Sequence, residues 1–371
     1  MAKRILGIDI GYDTLKLALV SGKQVRKTVV TPMPKRLLRE GRVVSPEAMG
    51  ELIRSTMREN GIRCSRAALA LSSDAVFVRN VTVPQMTADQ LSLNLPYEFR
   101  DYITDELKNY VFDYAMISEP EKKEKGAKAA KAPKEKKKKK NALETFEEEQ
   151  AVQTPEEAAE GSISTAATMD LLAVAAPTAL ISESRDMVRK AGLKLTKAAP
   201  GVCGFIGLIR SMQDSFRPAS GEYCILDLGY QAIRMYMFKG DRHEVTRALE
   251  FGLSRIDDAL ADAYNVDVHL AHTYLLTNYE DCQSKEVCLN SFNNIAVELM
   301  RALNFYRFSN PESELADIWL CGGGAAISAL TAAIEAGLDN MTFHSADELM
   351  PGGRALEESY SLAQAIGITQ D

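Results

Sequence analysis

The sequence lacks what a membrane-embedded or secreted protein would carry. No apolar run approaches the ~20 residues needed to cross a bilayer, and the longest, such as Leu171 to Ile181, is only core-sized. The opening MAKRILGIDIGYD lacks the unbroken apolar stretch of a signal peptide, because Asp9 and Gly11 interrupt it. The chain is therefore expected to stay in the cytosol. There is no CxxC pair, and 371 residues are too many to need disulfide staples. The six cysteines, at 64, 203, 224, 282, 288 and 321, read as reduced and mostly buried thiols. Cys282 and Cys288 have the wrong spacing for a zinc knuckle, and no histidine joins them. His269 and His272 lie one helical turn apart and read as a solvated helix face rather than a metal pair.

An excess of basic charge is also missing. The formal net charge is −7. A block of eleven lysines and three glutamates at 121–140 is followed by seven glutamates and no lysine at 141–160, so the two nearly cancel and the rest of the chain is acidic. An acidic body argues against nucleic acid as a main partner. From about Pro120 to Ala166 the chain is built of Lys, Glu, Ala, Pro, Ser and Thr, a composition that cannot bury a core, and disorder is expected there. Its run from Lys136 to Lys140 reads as part of a solvated loop, with weak attachment to anionic lipid as an alternative.

What is present on either side is globular, with 46% apolar residues and enough length for two domains. Residues 4–31 read as three strands joined by tight turns, the second at Ser21-Gly22-Lys23. Pro46 to Asn60 is a predicted helix, capped by Ser45 and closed by Gly61. Further strands are expected at Ala67 to Ser72, Val76 to Val83, Tyr110 to Ile117 and Leu171 to Ala175. Helices are expected at Thr87 to Tyr97 and Thr178 to Ala191.

The strongest signal is an internal repeat at an offset of 218 residues. Asp9-Ile-Gly-Tyr-Asp-Thr-Leu-Lys16 matches Asp227-Leu-Gly-Tyr-Gln-Ala-Ile-Arg234, and the match runs without a gap to Gly22 and Gly240. Two strand–turn–strand units imply two domains of one fold facing one another. In each, a strand ends in a carboxylate. At a cleft, Asp9 and Asp227 could hold a hydrated Mg²⁺, which keeps several of its waters. Gly11 and Gly229 let the backbone turn tightly toward a phosphate, whose oxygens can meet the turn N–H groups of Tyr12, Thr14, Tyr230 and Gln231. Lys16 could neutralise phosphate charge. A third element, Leu315-Ala-Asp-Ile-Trp-Leu-Cys-Gly322-Gly323-Gly324, reads as a strand, a triple-glycine turn and then a helix. Such a turn admits a flat group closely, and the helix N-terminus adds free donors.

With these elements in place the chain resembles the superfamily of actin, sugar kinases and heat-shock chaperones, and more narrowly the PilM family of type IV pilus assembly proteins, relatives of FtsA. The narrower likeness rests on Gly7-Ile-Asp-Ile-Gly11 with Lys16, Ala67 to Ser72 followed by Val83-Pro84-Gln-Met, Tyr97 to Ile103, Phe112-Asp-Tyr114, Leu171 to Pro177, the glycine turn, and Tyr360 to Gly367. The resemblance implies an α/β, actin-like (ribonuclease H-like) duplicated fold around a nucleotide cleft, with ATP and Mg²⁺ bound by the hairpins and the glycine turn. It implies a first domain from 1–32, 196–221 and 341–371, an inserted α+β subdomain at 33–195, and a second domain at 222–340. It also implies a groove beside the inserted subdomain that captures the cytoplasmic tail of PilN, a single-pass membrane protein, placing the chain beneath the inner membrane.

The sequence departs from the family where Tyr12 and Tyr230 replace small hydroxyl residues and Ala232-Ile233 replace threonines. That favours binding over fast hydrolysis, so at most a slow ATPase is expected, and no base stands out. The expected function is a nucleotide-gated scaffold of pilus assembly or a related secretion or DNA-uptake system, open to self-association. The alternatives are a sugar-kinase-type enzyme, for which no substrate pocket is marked, and an FtsA-like division anchor. The latter would need a C-terminal amphipathic helix, where this sequence ends Ile366-Gly-Ile-Thr-Gln-Asp371.

Overall fold

A computed structural model describes residues 4–39, 41–117, 168–212, 215–216, 218–351 and 356–370. The expected disorder from about 120 to 166 lies outside these residues. Two five-stranded sheets of the same topology dominate. In the first, Gln24–Pro32, Thr14–Ser21, Arg4–Ile10, Arg66–Leu71 and Lys194–Pro200 lie side by side. In the second, the order is Arg242–Leu249, Ile233–Lys239, Glu222–Leu228, Asp317–Cys321 and Thr342–Ser345. Each is an antiparallel three-strand meander followed by two parallel strands.

The repeat is reproduced in the register. Asp9 stands opposite Lys16 in the first sheet, and Asp227 opposite Arg234 in the second. The inner strands are apolar because both faces are covered: Leu6, Ile8, Leu226 and Leu228 are almost wholly buried. Helix Pro46–Glu59 follows its sequence signals. Ser45 Oγ accepts from the N–H of Ala48 at 3.2 Å, and the buried Met49, Ile53 and Met57 face one side. They pack with Leu6, Leu15, Leu17 and Met187 in the first-sheet core.

A separate three-stranded antiparallel sheet of Phe77–Pro84, Thr168–Pro177 and Tyr110–Met116 forms the small inserted unit. Helix Ala88–Asn94, with Thr87 and Gln90 as a capping box, and the following Phe99 and Ile103 close its core. This unit is narrower than the 33–195 expected. Strand Arg66–Leu71 pairs in parallel with Arg4–Ile10, and helices Pro46–Glu59 and Thr178–Lys190 pack on the same sheet. Strand pairing over such separations leaves no local mark in a sequence. The 341–371 boundary shifts for the same reason: Thr342–Ser345 pairs with Asp317–Cys321 of the second sheet.

Two helices join the sheets. Gly201–Ser211 and Ser359–Gly367 lie between Ala18 and Val20 of the first sheet and Tyr223, Ile225 and Tyr236 of the second. They approach closely because glycine faces backbone. A Cβ at Gly204 would lie 2.8 Å from the carbonyl oxygen of Gln364, and one at Gly7 would collide with that of Ala365. Among the described residues no helix is long and apolar enough to cross a membrane. All six cysteines are free; Cys282 and Cys288 are buried, with Cys282 Sγ donating to the Tyr274 carbonyl at 3.2 Å.

Candidate functional site in the cleft between the two sheets

Both aspartate hairpins open onto one cavity. In the first, the N–H of Gly11 donates to the Thr14 carbonyl at 3.0 Å and closes the turn. In the second, the N–H of Gly229 donates to the Asp227 carbonyl at 3.0 Å. Asp9, Gly11, Tyr12, Thr14 and Lys16 line the cavity from one side, and Asp227, Gly229, Tyr230 and Gln231 from the other. Gly322 and Gly323 close one end. The cavity holds about 210 Å³.

Charge in the cavity is balanced by short contacts. Lys16 Nζ donates to Asp9 Oδ2 at 3.0 Å. Burial pulls the Lys16 ammonium down, but Asp9, with Asp227 and Asp13 behind it, outweighs burial and leaves its pKa raised. Burial pushes the Asp227 carboxyl up, and Lys16 and Arg234 only partly offset this. Gln364 Nε2 donates to Asp227 Oδ2 at 3.3 Å from the helix shared by the two sheets.

The glycine turn is built by sterics. Gly322 has φ +86°, and a Cβ there would overlap Asp227 Oδ1 and stand 2.7 Å from the backbone N of Leu228. Gly324 does not line the cavity. A Cβ there would meet Leu228 and Leu253 instead, so its smallness serves packing. A single 3₁₀ turn, Gly323–Ala326, intervenes before helix Ser328–Gly337, so the helix does not start directly at the glycines as expected.

Several residues that sequence reasoning missed bridge the cavity. Asp74, just beyond strand Arg66–Leu71, accepts from Arg234 Nη2 with both carboxylate oxygens at 2.6 Å. Ser73 Oγ and the Tyr236 hydroxyl are 3.3 Å apart. His272, expected on a solvated helix face, is not on one. Its Nδ1 lies 2.8 Å from the fully buried Asp257 Oδ2, and its Nε2 lies 3.3 Å from Asp13 Oδ2 of the first hairpin turn. The Tyr230 ring meets the imidazole edge-on. Burial lowers the His272 pKa, but Asp13 and Asp257 reverse this and hold it at about 9. Neither partner is near His272 in sequence, so no spacing could have revealed the pair. Arg234, by contrast, is the repeat mate of Lys16 and was visible as such.

The donor set suits a metal–triphosphate. Asp9 and Asp227 are carboxylates of two facing strands, Lys16 is a mostly buried cation paired with Asp9, and Gly322 and Gly323 line the cavity without side chains.

Comparison with known proteins agrees with this architecture. The family model for type IV pilus assembly protein PilM matches residues 7–149 and 157–345. No curated protein sequence matches. Among solved structures, the chain is similar to one titled as a PilM–PilN type IV pilus biogenesis complex. Identity is 20%, coverage is 98% of this chain and 97% of that one, and the TM-score is 0.69. It is also similar to the ethanolamine utilization protein EutJ of Carboxydothermus hydrogenoformans, at 11% identity, covering 98% of this chain and 88% of that one with a TM-score of 0.53. Those likenesses establish the fold, and the match of the family model over most of its length establishes that the chain belongs to the PilM family of type IV pilus assembly proteins.

Proposed function

We propose that the chain is an ATP-binding scaffold of type IV pilus assembly that docks on the cytoplasmic tail of a PilN-like inner-membrane protein. The observation that carries the nucleotide half is the meeting of Asp9 and Asp227, from the two copies of one hairpin, in one cavity beside Gly322 and Gly323. Asp9 and Asp227 would hold Mg²⁺ through its waters, which would neutralise phosphate charge. The turn N–H groups at Tyr12, Thr14, Tyr230 and Gln231, with Lys16, would take the phosphates, and Gly11 and Gly229 would let the turns come close to them. Gly322 and Gly323 would lie against the base.

Hydrolysis has little support in the side chains. With a pKa of about 9, His272 is already protonated at neutral pH and cannot take a proton from water. Arg234 is engaged by Asp74. ATP here is therefore read as a bridge between the two sheets that favours one conformation by its differential affinity.

The tail half rests on family membership and on a groove of about 420 Å³ between the first sheet and the inserted unit. Leu38, Val43, Leu180 and Met187 give it an apolar floor, and Asp105, Glu183 and Arg42 give it charges of both signs, a lining suited to a tail bearing apolar side chains with flanking polar groups. Titration of ATP with Mg²⁺ into the wild type and Asp9→Ala tests the cleft. We expect at least a tenfold loss of affinity in the variant; equal affinities would sink the assignment.

A further inference from the structure

We infer that Tyr12 couples the nucleotide cleft to the tail groove, so that each ligand changes the affinity of the other. The inference rests on the proposed reading of both cavities and concerns what joins them.

The two cavities share one thin wall. Ile10, Leu71 and Ser72 line both. Ile10 ends the strand that carries Asp9, and Leu71 ends the parallel strand paired beside it. At this wall Tyr12, which lines the cleft, lays its phenol ring against Gly41, which lines the groove. The contact is close at the hydroxyl end of the ring. A Cβ at Gly41 would overlap the Tyr12 hydroxyl and stand 3.1 Å from its Cζ.

Gly41 lies between the short paired strands Leu38–Arg39 and Arg42–Val43, which form one side of the groove. Its φ of +75° is a conformation that glycine adopts freely and other residues rarely do. The segment that leads into this turn is tied to the hairpin at Met33, and the base of the turn is closed between Leu37 and Val44. The N–H of Met33 donates to the Asp13 carbonyl at 2.7 Å, and the N–H of Val44 donates to the Leu37 carbonyl at 2.9 Å.

A phosphate drawing on the N–H groups of the Gly11–Thr14 turn would shift Tyr12 and so press on or release Gly41. Close-packed contacts of this kind transmit displacement rather than absorb it. Because binding linkage is reciprocal, a tail seated against the Leu38–Val43 hairpin must change nucleotide affinity by the same factor.

The test uses the full chain, a dye-labelled synthetic copy of the N-terminal cytoplasmic tail of the PilN-like protein from the same genome, and a non-hydrolysable ATP analogue with Mg²⁺. In the wild type, saturating analogue should change the tail Kd by about fivefold or more, and saturating tail should change the analogue Kd by the same factor. Tyr12→Ala, which removes the ring, and Gly41→Ala, which displaces it, should each bring the factor close to one. Tyr12→Phe, which keeps the ring, should retain most of it. A purely structural role for Tyr12 would weaken binding without altering the ratio. Hydrogen exchange at residues 38–43 provides a check that needs no variant and no tail: addition of the analogue should change their protection. Binding of both ligands with a factor of one in the wild type would overturn this inference alone, as would factors unchanged in both alanine variants. Failure of the tail to bind at all would overturn the reading of the groove as well.

Discussion

Single residues decide what the cleft can do. His272 sits between one carboxylate of its own domain, Asp257, and one of the facing hairpin, Asp13. Its pKa in the folded chain, about 9, lies above the ordinary 6.5. The stabilisation it gives is therefore complete below about pH 6.5 and is lost as pH rises through 9. Because the site is partly exposed, we expect about 1–2 kcal/mol after solvent screening. Melting temperatures of the wild type and His272→Gln should differ most at pH 6.5 and below, and converge above pH 9. A gap that is constant across this range would show that the ion pair contributes nothing. His272 also shows where sequence reading ends. One residue of a helix carries no record of two carboxylates contributed by other elements, and a histidine one turn from another looks the same whether it faces solvent or a cleft.

At the scale of elements, the close pair Gly201–Ser211 and Ser359–Gly367 is the most demanding piece of packing. Their backbones touch at Gly204, Gln364 and Gly367, where no side chain intervenes. Gly204→Val should cost about 1–3 kcal/mol or more through overpacking, read as a lower urea midpoint at unchanged slope; an unaltered midpoint would mean that the helices part without penalty. The elements themselves were largely legible. Ser45 and Pro46 announced a helix, Thr87 announced another, and the Asp9 and Asp227 repeat foretold two hairpins whose registers now match residue for residue. Membership was less legible than existence. Arg66–Leu71 reads as a strand on its own composition, yet only its parallel pairing with Arg4–Ile10 takes it out of the inserted unit. The triple glycine divides similarly: Gly322 and Gly323 line the cavity, with Gly322 also packed tightly on Asp227 and Leu228, while Gly324 serves only the packing of Leu228 and Leu253, a difference of direction that composition cannot express.

For the whole molecule, the two sheets are held together across the cleft by Asp74 with Arg234, Ser73 with Tyr236, and Asp13 with His272. The inserted unit adds Asn80, whose Nδ2 donates to the carbonyls of His243 and Glu244 at 2.7 and 2.9 Å. The cavity's 210 Å³ falls below the ~300–1,000 Å³ common for small-molecule sites, so we expect the sheets to part as a triphosphate enters. Asp74→Asn, which removes the charge from the tightest of these links, should raise the association rate of a fluorescent ATP analogue severalfold in stopped flow, since a larger fraction of molecules stands open. An unchanged rate would indicate that opening does not limit entry.

The collision that a side chain at Gly7 would make with Ala365 has a bearing on synthesis. The face of the first sheet that carries Gly7, Ala18 and Val20 is covered by helix Ser359–Gly367, so the nascent chain must carry that face incompletely covered until this distant helix has been made. Contacts this distant are slow to form. Early release or truncation before residue 359 should therefore expose the first sheet to chaperones or aggregation, even though every strand of that sheet has already been made.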